Sequence, residues 1–314
     1  MEYLYLLLCL GAIVVSADWL VAGAVTIAKR FRISDFVIGA VIVGIGTSFP
    51  ELVVSSIGAF EGSSDIAIGN VVGSNIFNVL GILGLTAVIM PVAVSRENMR
   101  FDLPFCIGVS VVAILLAFNF FMGGDAVIGR ADGLVLLAFF TLFIYLSLRS
   151  SKGGNVASDE VITNRALAMG VGKVALGLGG LIVASNFFLD NAIAIAQAWG
   201  VNEAFISITL VACGTSFPEL AASLVAAAKG NTQLALGNII GSNIFNLTFI
   251  LGVASQITPL TNSGITVVDY VVMIFAAVVP MLLGFKGKLN RLSGLFMVAC
   301  FVAYNAYLLY TQMN

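Results

Sequence analysis

Apolar residues run along this chain in blocks of membrane-spanning length, and the polar residues inside those blocks fall into repeated strings. Blocks near residues 4–28, 36–60, 65–91, 103–122, 133–149, 167–199, 201–228, 232–259, 265–285 and 290–311 predict ten helices, because about 20 predominantly apolar residues cross a bilayer as a helix. In the second block, Gly46-Thr47-Ser48-Phe49-Pro50-Glu51-Leu52 recurs letter for letter as Gly214-Thr215-Ser216-Phe217-Pro218-Glu219-Leu220 in the seventh. In the third, Gly69-Asn70-Val71-Val72-Gly73-Ser74-Asn75-Ile76-Phe77-Asn78 returns as Gly237-Asn238-Ile239-Ile240-Gly241-Ser242-Asn243-Ile244-Phe245-Asn246 in the eighth. The offset is the same for both, 168 residues (215 − 47 and 242 − 74). Over residues 36–84 against 204–252 about half the positions are identical without a gap, and the match runs weakly upstream to Asp18 against Asn186.

That offset carries helix 2 onto helix 7 and helix 3 onto helix 8. Five is an odd number, so the two halves enter the membrane with opposite orientation. The fold class expected is an all-α polytopic membrane protein of ten transmembrane helices in two inverted five-helix repeats. Residues 1–149 form the first repeat, 150–166 a cytoplasmic linker rich in Ser, Gly and charge, and 167–314 the second repeat. Inverted repeats with interrupted helices near the midplane mark many secondary transporters, whose substrate sits at the repeat interface.

Composition fixes the solvent. Hydrophobic residues make up 60% of the 314 and charged residues 10%, with a mean hydropathy of +1.09, which excludes an ordinary soluble domain. Glu2 precedes the first block, no basic segment leads it, and Asp18 lies within it, so the first helix is expected to stay rather than be cleaved. All of the 14 Lys and Arg residues except Arg130 fall in or beside the connections that follow odd-numbered helices. Those connections are therefore expected in the cytoplasm, with both termini outside.

The repeated strings carry the chemistry. Pro50 has no N–H to offer the carbonyl of Gly46, and Pro218 none for Gly214. Carbonyls freed at membrane depth are tolerated only where they face protein or a wet cavity. Thr47 and Ser48 lie four and three positions before Glu51 and share its helical face, as Thr215 and Ser216 do with Glu219. Asn70, Ser74 and Asn78 form a polar stripe at spacings of four, matched by Asn238, Ser242 and Asn246. Gly69 and Gly73, with Gly237 and Gly241, allow close helix approach. Together these make a cage of oxygens: two carboxylates, hydroxyls, amide carbonyls and backbone carbonyls.

Such a cage suits a hard cation of the Ca²⁺ kind, which takes about six to eight oxygen ligands. Zn²⁺ and Cu favour imidazole and thiolate, yet the chain has no His, and Cys9, Cys106, Cys213 and Cys300 have no paired spacing. Two carboxylates balance one Ca²⁺ or two monovalent cations. Competition between those ions, combined with alternating access, is antiport.

The strings Gly-Thr-Ser-Phe-Pro-Glu and Gly-Ser-Asn-Ile-Phe-Asn resemble the alpha-repeat motifs of the calcium:cation antiporter superfamily, most closely its prokaryotic sodium/calcium exchangers. Four strings match in order and orientation, and membership would cover essentially the whole chain. The resemblance implies that Glu51 and Glu219 bind Ca²⁺ with the carbonyls of Thr47 and Thr215. It implies that Ser48, Ser74, Ser216 and Ser242, with carbonyls near Gly44 and Ala212, bind Na⁺ in flanking sites, and that Asn78 and Asn246 complete the central one. Some relatives, including archaeal and potassium-dependent exchangers, carry Asp at the position of Asn246. Asn at both positions leaves two acids and argues against potassium dependence. With no large cytoplasmic loop, the resemblance also places the chain in a prokaryotic plasma (inner) membrane.

Other residues have plainer readings. Asp35 and Glu203 begin helices 2 and 7, where capping and the helix dipole favour an acid. Asp18 and Asp190 lack acidic twins and are assigned to helix packing or a pore mouth. The leading function is therefore exchange of Ca²⁺ for Na⁺ by a chain acting as a monomer in the lipid bilayer, with no cofactor and no nucleic-acid partner. A Ca²⁺/H⁺ antiporter is the alternative, because low dielectric favours the neutral form of a carboxyl and makes a proton a competing ligand. A cation channel is the third reading. It is disfavoured because the duplication already forms a complete two-fold site in one chain. No nucleophile and base set or phosphate loop supports an enzyme.

Overall fold

The computed structural model describes residues 2–118, 126–150, 162–199, 214–262 and 264–313. It is helical throughout, apart from four two-residue strands. Helix α1 is Glu2–Phe31. Ser34 then caps the next span, its hydroxyl accepting from Val37 N at 3.3 Å, so Asp35 falls in the first turn, where an acid faces the positive helix end. This second span is broken. Its parts α2, Asp35–Thr47, and α3, Phe49–Phe60, are bent by 46° about Ser48, because Pro50 sits in the first turn of α3 and cannot continue the ladder.

The remaining helices are α4, Ser64–Ile89; α5, Asn98–Ala117; α6, Arg130–Ser150; α7, Asn164–Ala198; α8, Phe217–Ala228; α9, Thr232–Ile257; α10, Val267–Gly284; and α11, Arg291–Met313. Among the described residues, eight helices are singly long and apolar enough to cross a membrane, and the bent α2–α3 pair, taken as one span, makes a ninth. Helix α8 is the 12-residue end of the seventh apolar block. The start of that block, with Glu203, Ala212 and Cys213, lies outside the described residues, as does most of the expected linker. Helix α5 begins ahead of the apolar block at 103 because Ser95 caps it, accepting from Asn98 N at 3.1 Å.

Burial sorts the helices into a centre and a rim. In α9, 94% of the most apolar 18-residue window is buried and in α4 78%, against 17% in α11 and 22% in α6 and α7. The rim helices turn Leu, Val and Phe side chains outward, as lipid permits. Helices α1 and α7 lie against each other through small residues. A methyl on Gly177 would strike the backbone of Ser16 and Leu20.

Three of the site-bearing helices contain one wider, π-helical turn: Gly39–Gly44 in α2, Phe77–Leu83 in α4 and Asn246–Ile250 in α9. Such turns re-aim side chains and are frequent at functional sites. Two of them contain Asn78 and Asn246. Helix α9 crosses α2 with almost no gap, since a Cβ on Gly237 or Gly241 would fall onto the α2 backbone at Phe36 and Ala40.

Two antiparallel ribbons tie the bundle. Strand β1, Val92–Ala93, follows α4 and pairs with β4, Lys288–Leu289, which precedes α11. Strand β2, Val127–Ile128, precedes α6 and pairs with β3, Leu260–Thr261, which follows α9.

Candidate functional site

The break at Ser48 and its counterpart at Ser216 set the geometry of the centre. At each, the backbone leaves helical values, with φ −83° and ψ 11° at Ser48 and φ −92° and ψ 12° at Ser216. The following helix then carries its glutamate in the first turn. Both carboxylates are fully buried. Each is held by the opposite string: Ser48 Oγ donates to Glu219 Oε1 at 2.7 Å, and Ser216 Oγ donates to Glu51 Oε1 at 2.7 Å.

Only one oxygen of each carboxylate is occupied. Glu51 Oε2 and Glu219 Oε2 are buried with no hydrogen-bond partner, and so are Asn78 Oδ1, Asn246 Oδ1 and the hydroxyl of Ser74. Leaving a buried acceptor unmet costs about 1–3 kcal/mol, and more for a charged group. Buried oxygens without donors are the kind of ligand a hard cation takes.

Donors that would otherwise fill these oxygens are engaged elsewhere. Asn70 Nδ2 bonds Glu51 O at 3.1 Å and Ser55 Oγ at 2.9 Å. Asn238 Nδ2 bonds Glu219 O at 3.2 Å and Ser223 Oγ at 2.8 Å. Thr47 Oγ1 lies 3.0 Å from Val43 O and 3.2 Å from Asn238 Oδ1, and Thr215 Oγ1 lies 3.4 Å from Asn70 Oδ1. Ser242 Oγ donates to Gly44 O at 3.1 Å. Where α4 meets α9, Asn78 Nδ2 donates to Asn243 Oδ1 at 3.1 Å and Asn246 Nδ2 to Asn75 Oδ1 at 3.3 Å. Asn75 and Asn243 each bond the other's backbone carbonyl, at 3.4 and 3.2 Å. Every Asn amide group at this crossing is thus spent on protein, which leaves the Oδ1 atoms of Asn78 and Asn246 open.

Residues 1–149 and 169–310 match the family described as sodium/calcium exchanger protein. The chain belongs to that family. Among its relatives, the sodium/calcium exchanger MaX1 of Methanosarcina acetivorans is 31% identical, over 98% of this chain and 99% of that one. The inner membrane protein YrbG of Escherichia coli is 34% identical, over 86% and 85%. A solved structure of the sodium-calcium exchanger NCX_Mj, soaked with zero Na⁺ and Ca²⁺, is 32% identical and superposes with a TM-score of 0.84 over 98% of both chains.

In this exchanger-family chain, the structure pairs Ser48 with Glu219 and Ser216 with Glu51, links Thr47 to Glu219 through Asn238 and Thr215 to Glu51 through Asn70, and bonds Ser242 to Gly44. Ala212, named from the sequence, lies outside the described residues. Asn75, Asn243, Ser55 and Ser223 belong to the network but were given no role in the sequence reading. All four stand at the same offset as the strings, so the repeat itself was the signal. Asp18 is half exposed and pairs with Lys229 at the end of α8, and Asp190 is exposed on α7. Neither carboxylate is among the partners of the central network.

Proposed function

We propose that this chain is a secondary antiporter exchanging Ca²⁺ for Na⁺ across the membrane, by alternating access to a site between Glu51 and Glu219. The observation that carries the reading is the pair of buried carboxylates, each steadied by a serine of the other string and each keeping one oxygen without a donor. Two fixed negative charges balance one Ca²⁺ at the centre. The Thr47 and Thr215 carbonyls and the Oδ1 atoms of Asn78 and Asn246 would fill its shell. Na⁺ would enter beside the centre at Ser48, Ser74, Ser216 and Ser242, with the backbone at Gly44 and Ala212, drawing the carboxylate oxygens away from Ca²⁺. Competition for shared oxygens couples the two fluxes.

The same reading takes the chain as ten spans in two inverted halves, 1–149 and 167–314, joined by a cytoplasmic linker. It functions as a monomer in a prokaryotic inner membrane with both termini outside. The mirrored bonds of the two strings support the two-fold arrangement, and names such as sodium/calcium exchanger MaX1 and NCX_Mj support the ion pair.

Radiolabelled Ca²⁺ uptake into proteoliposomes loaded with Na⁺, or with an inert cation at matched pH, tests it. Uptake that depends on internal Na⁺, and that falls to background in Glu51→Gln and in Glu219→Gln, is expected. Retained uptake in both variants would sink the two-glutamate site, and uptake that follows a pH gradient while ignoring Na⁺ would make the protein a Ca²⁺/H⁺ antiporter.

A further inference from the structure

Away from the centre, at the end of the bundle where basic residues cluster, a cavity of about 140 Å³ opens between the starts of α2, α5 and α9 and the last turns of α6. Its wall includes Asp102, Asn98, Ser147, Ser95, Glu97 and Gln233. Asp102 is 3% exposed, while Glu97 and Ser95 stand at the exposed mouth. Asn98 is locked in place: its Oδ1 accepts from Ser95 N and Ser95 Oγ, both at 2.8 Å, and its Nδ2 donates to Asp102 Oδ2 at 2.9 Å. One neutral amide is thus the hydrogen-bond partner of a buried carboxylate. Among the described residues no Lys or Arg makes an ion pair with Asp102. Arg96 and Arg100 instead line a separate crevice with Lys286. Buried carboxylates are ordinarily paired or bound to a cation.

A second observation points to a ligand in the same cavity. Ser147 is 1% exposed and its Oγ has no hydrogen-bond partner. Some buried helical hydroxyls in this chain return to the carbonyl four residues back, as Ser110 does to Cys106 O at 2.8 Å and Thr86 to Ile82 O at 2.7 Å, whereas those of Ser74 and Ser185, like that of Ser147, have no partner. The hydroxyl of Ser147 forgoes that bond.

The other end of the bundle supplies a contrast. Thr266 and Asp269 cap α10 as Ser95 and Asn98 cap α5, beside a cavity of about 230 Å³. There the carboxylate is fully used. Asp269 Oδ2 accepts from Thr266 N and Oγ1, and Oδ1 accepts from Tyr304 OH at 2.7 Å.

We propose that the cavity at Asp102 is a second cation site, separate from the central pair, which takes a partly hydrated divalent cation of the Ca²⁺ class. Asp102 and Glu97 supply the charge, Ser147 a hydroxyl oxygen, and the remaining volume holds several waters. This site does not depend on the assignment of Glu51 and Glu219.

Equilibrium binding of ⁴⁵Ca²⁺ to the purified full chain in Na⁺-free buffer tests it. Wild type is expected to hold two Ca²⁺ per chain and Glu51→Gln/Glu219→Gln one. Adding Asp102→Asn should abolish that remaining ion, and adding Ser147→Ala or Glu97→Gln instead should weaken it severalfold. Asp102→Asn alone should keep the central ion and Na⁺-driven uptake, which shows that the variant folds. Absence of Ca²⁺ from the double glutamine variant, residual binding indifferent to Asp102→Asn, or loss of both ions in Asp102→Asn alone would overturn the second site. If the central assignment is the one in error, the double glutamine variant will still hold two ions and Asp102→Asn will still remove one.

Discussion

Ser48 and Ser216 each bond a carboxylate that belongs to the other string, so the energetic unit of the centre is a serine of one string with the glutamate of the other. A hydrogen bond to a charged group is worth about 1.5–3 kcal/mol, hence Ser48→Ala or Ser216→Ala should slow Na⁺-driven Ca²⁺ uptake roughly tenfold or more. The pairing also predicts non-additivity in stability: by thermal unfolding in detergent, Ser48→Ala combined with Glu219→Gln should cost less than the sum of the two single changes. Additive losses in that cycle would deny the pairing. Glu51, Thr47 and Ser48 were legible in the sequence because a proline beside an acid at membrane depth admits few readings. Asn75 and Asn243 were harder to see. A stripe at spacings of four takes Asn70, Ser74 and Asn78, whereas Asn75 lies about 100° further round the helix, on the face that meets α9.

Elements in this fold are placed by what they lack. Gly237 and Gly241 have no Cβ, and α2 lies where a Cβ would be. Gly241→Ala should force the α2–α9 crossing apart and destabilise the protein by about 1–3 kcal/mol, read as a lower midpoint of thermal unfolding in detergent. Gly11→Ala is the matched control. A Cβ there meets nothing within 4 Å, so the midpoint should hold or rise slightly, as expected for Ala in a helix. The long helices and the break at Pro50 could be read from hydropathy and from the missing N–H. The π-helical turns could not, since packing between α4 and α9 rather than local propensity decides where an extra residue enters a turn. The ribbons were equally silent, because two-residue strands such as Val92–Ala93 leave no periodicity to detect.

At the scale of the whole molecule, the two ribbons mark opposite ends of the bundle. Lys288 of β4 belongs to the expected cytoplasmic end, and Arg130, just after β2, to the outer one. In a chain freed of native cysteines, a Cys at position 288 should react with a membrane-impermeant maleimide only after the membrane is opened, and one at position 130 without opening it. The reverse pattern would invert the assignment of both termini. Both halves of the chain meet at a centre that neither completes alone. Glu51 depends on Ser216 and Glu219 on Ser48, so a change in either string is felt by its twin, and neither can drift without harming the other. The reciprocal bonds thus give a physical reason why the serine and the glutamate of Gly-Thr-Ser-Phe-Pro-Glu-Leu are the same in both strings.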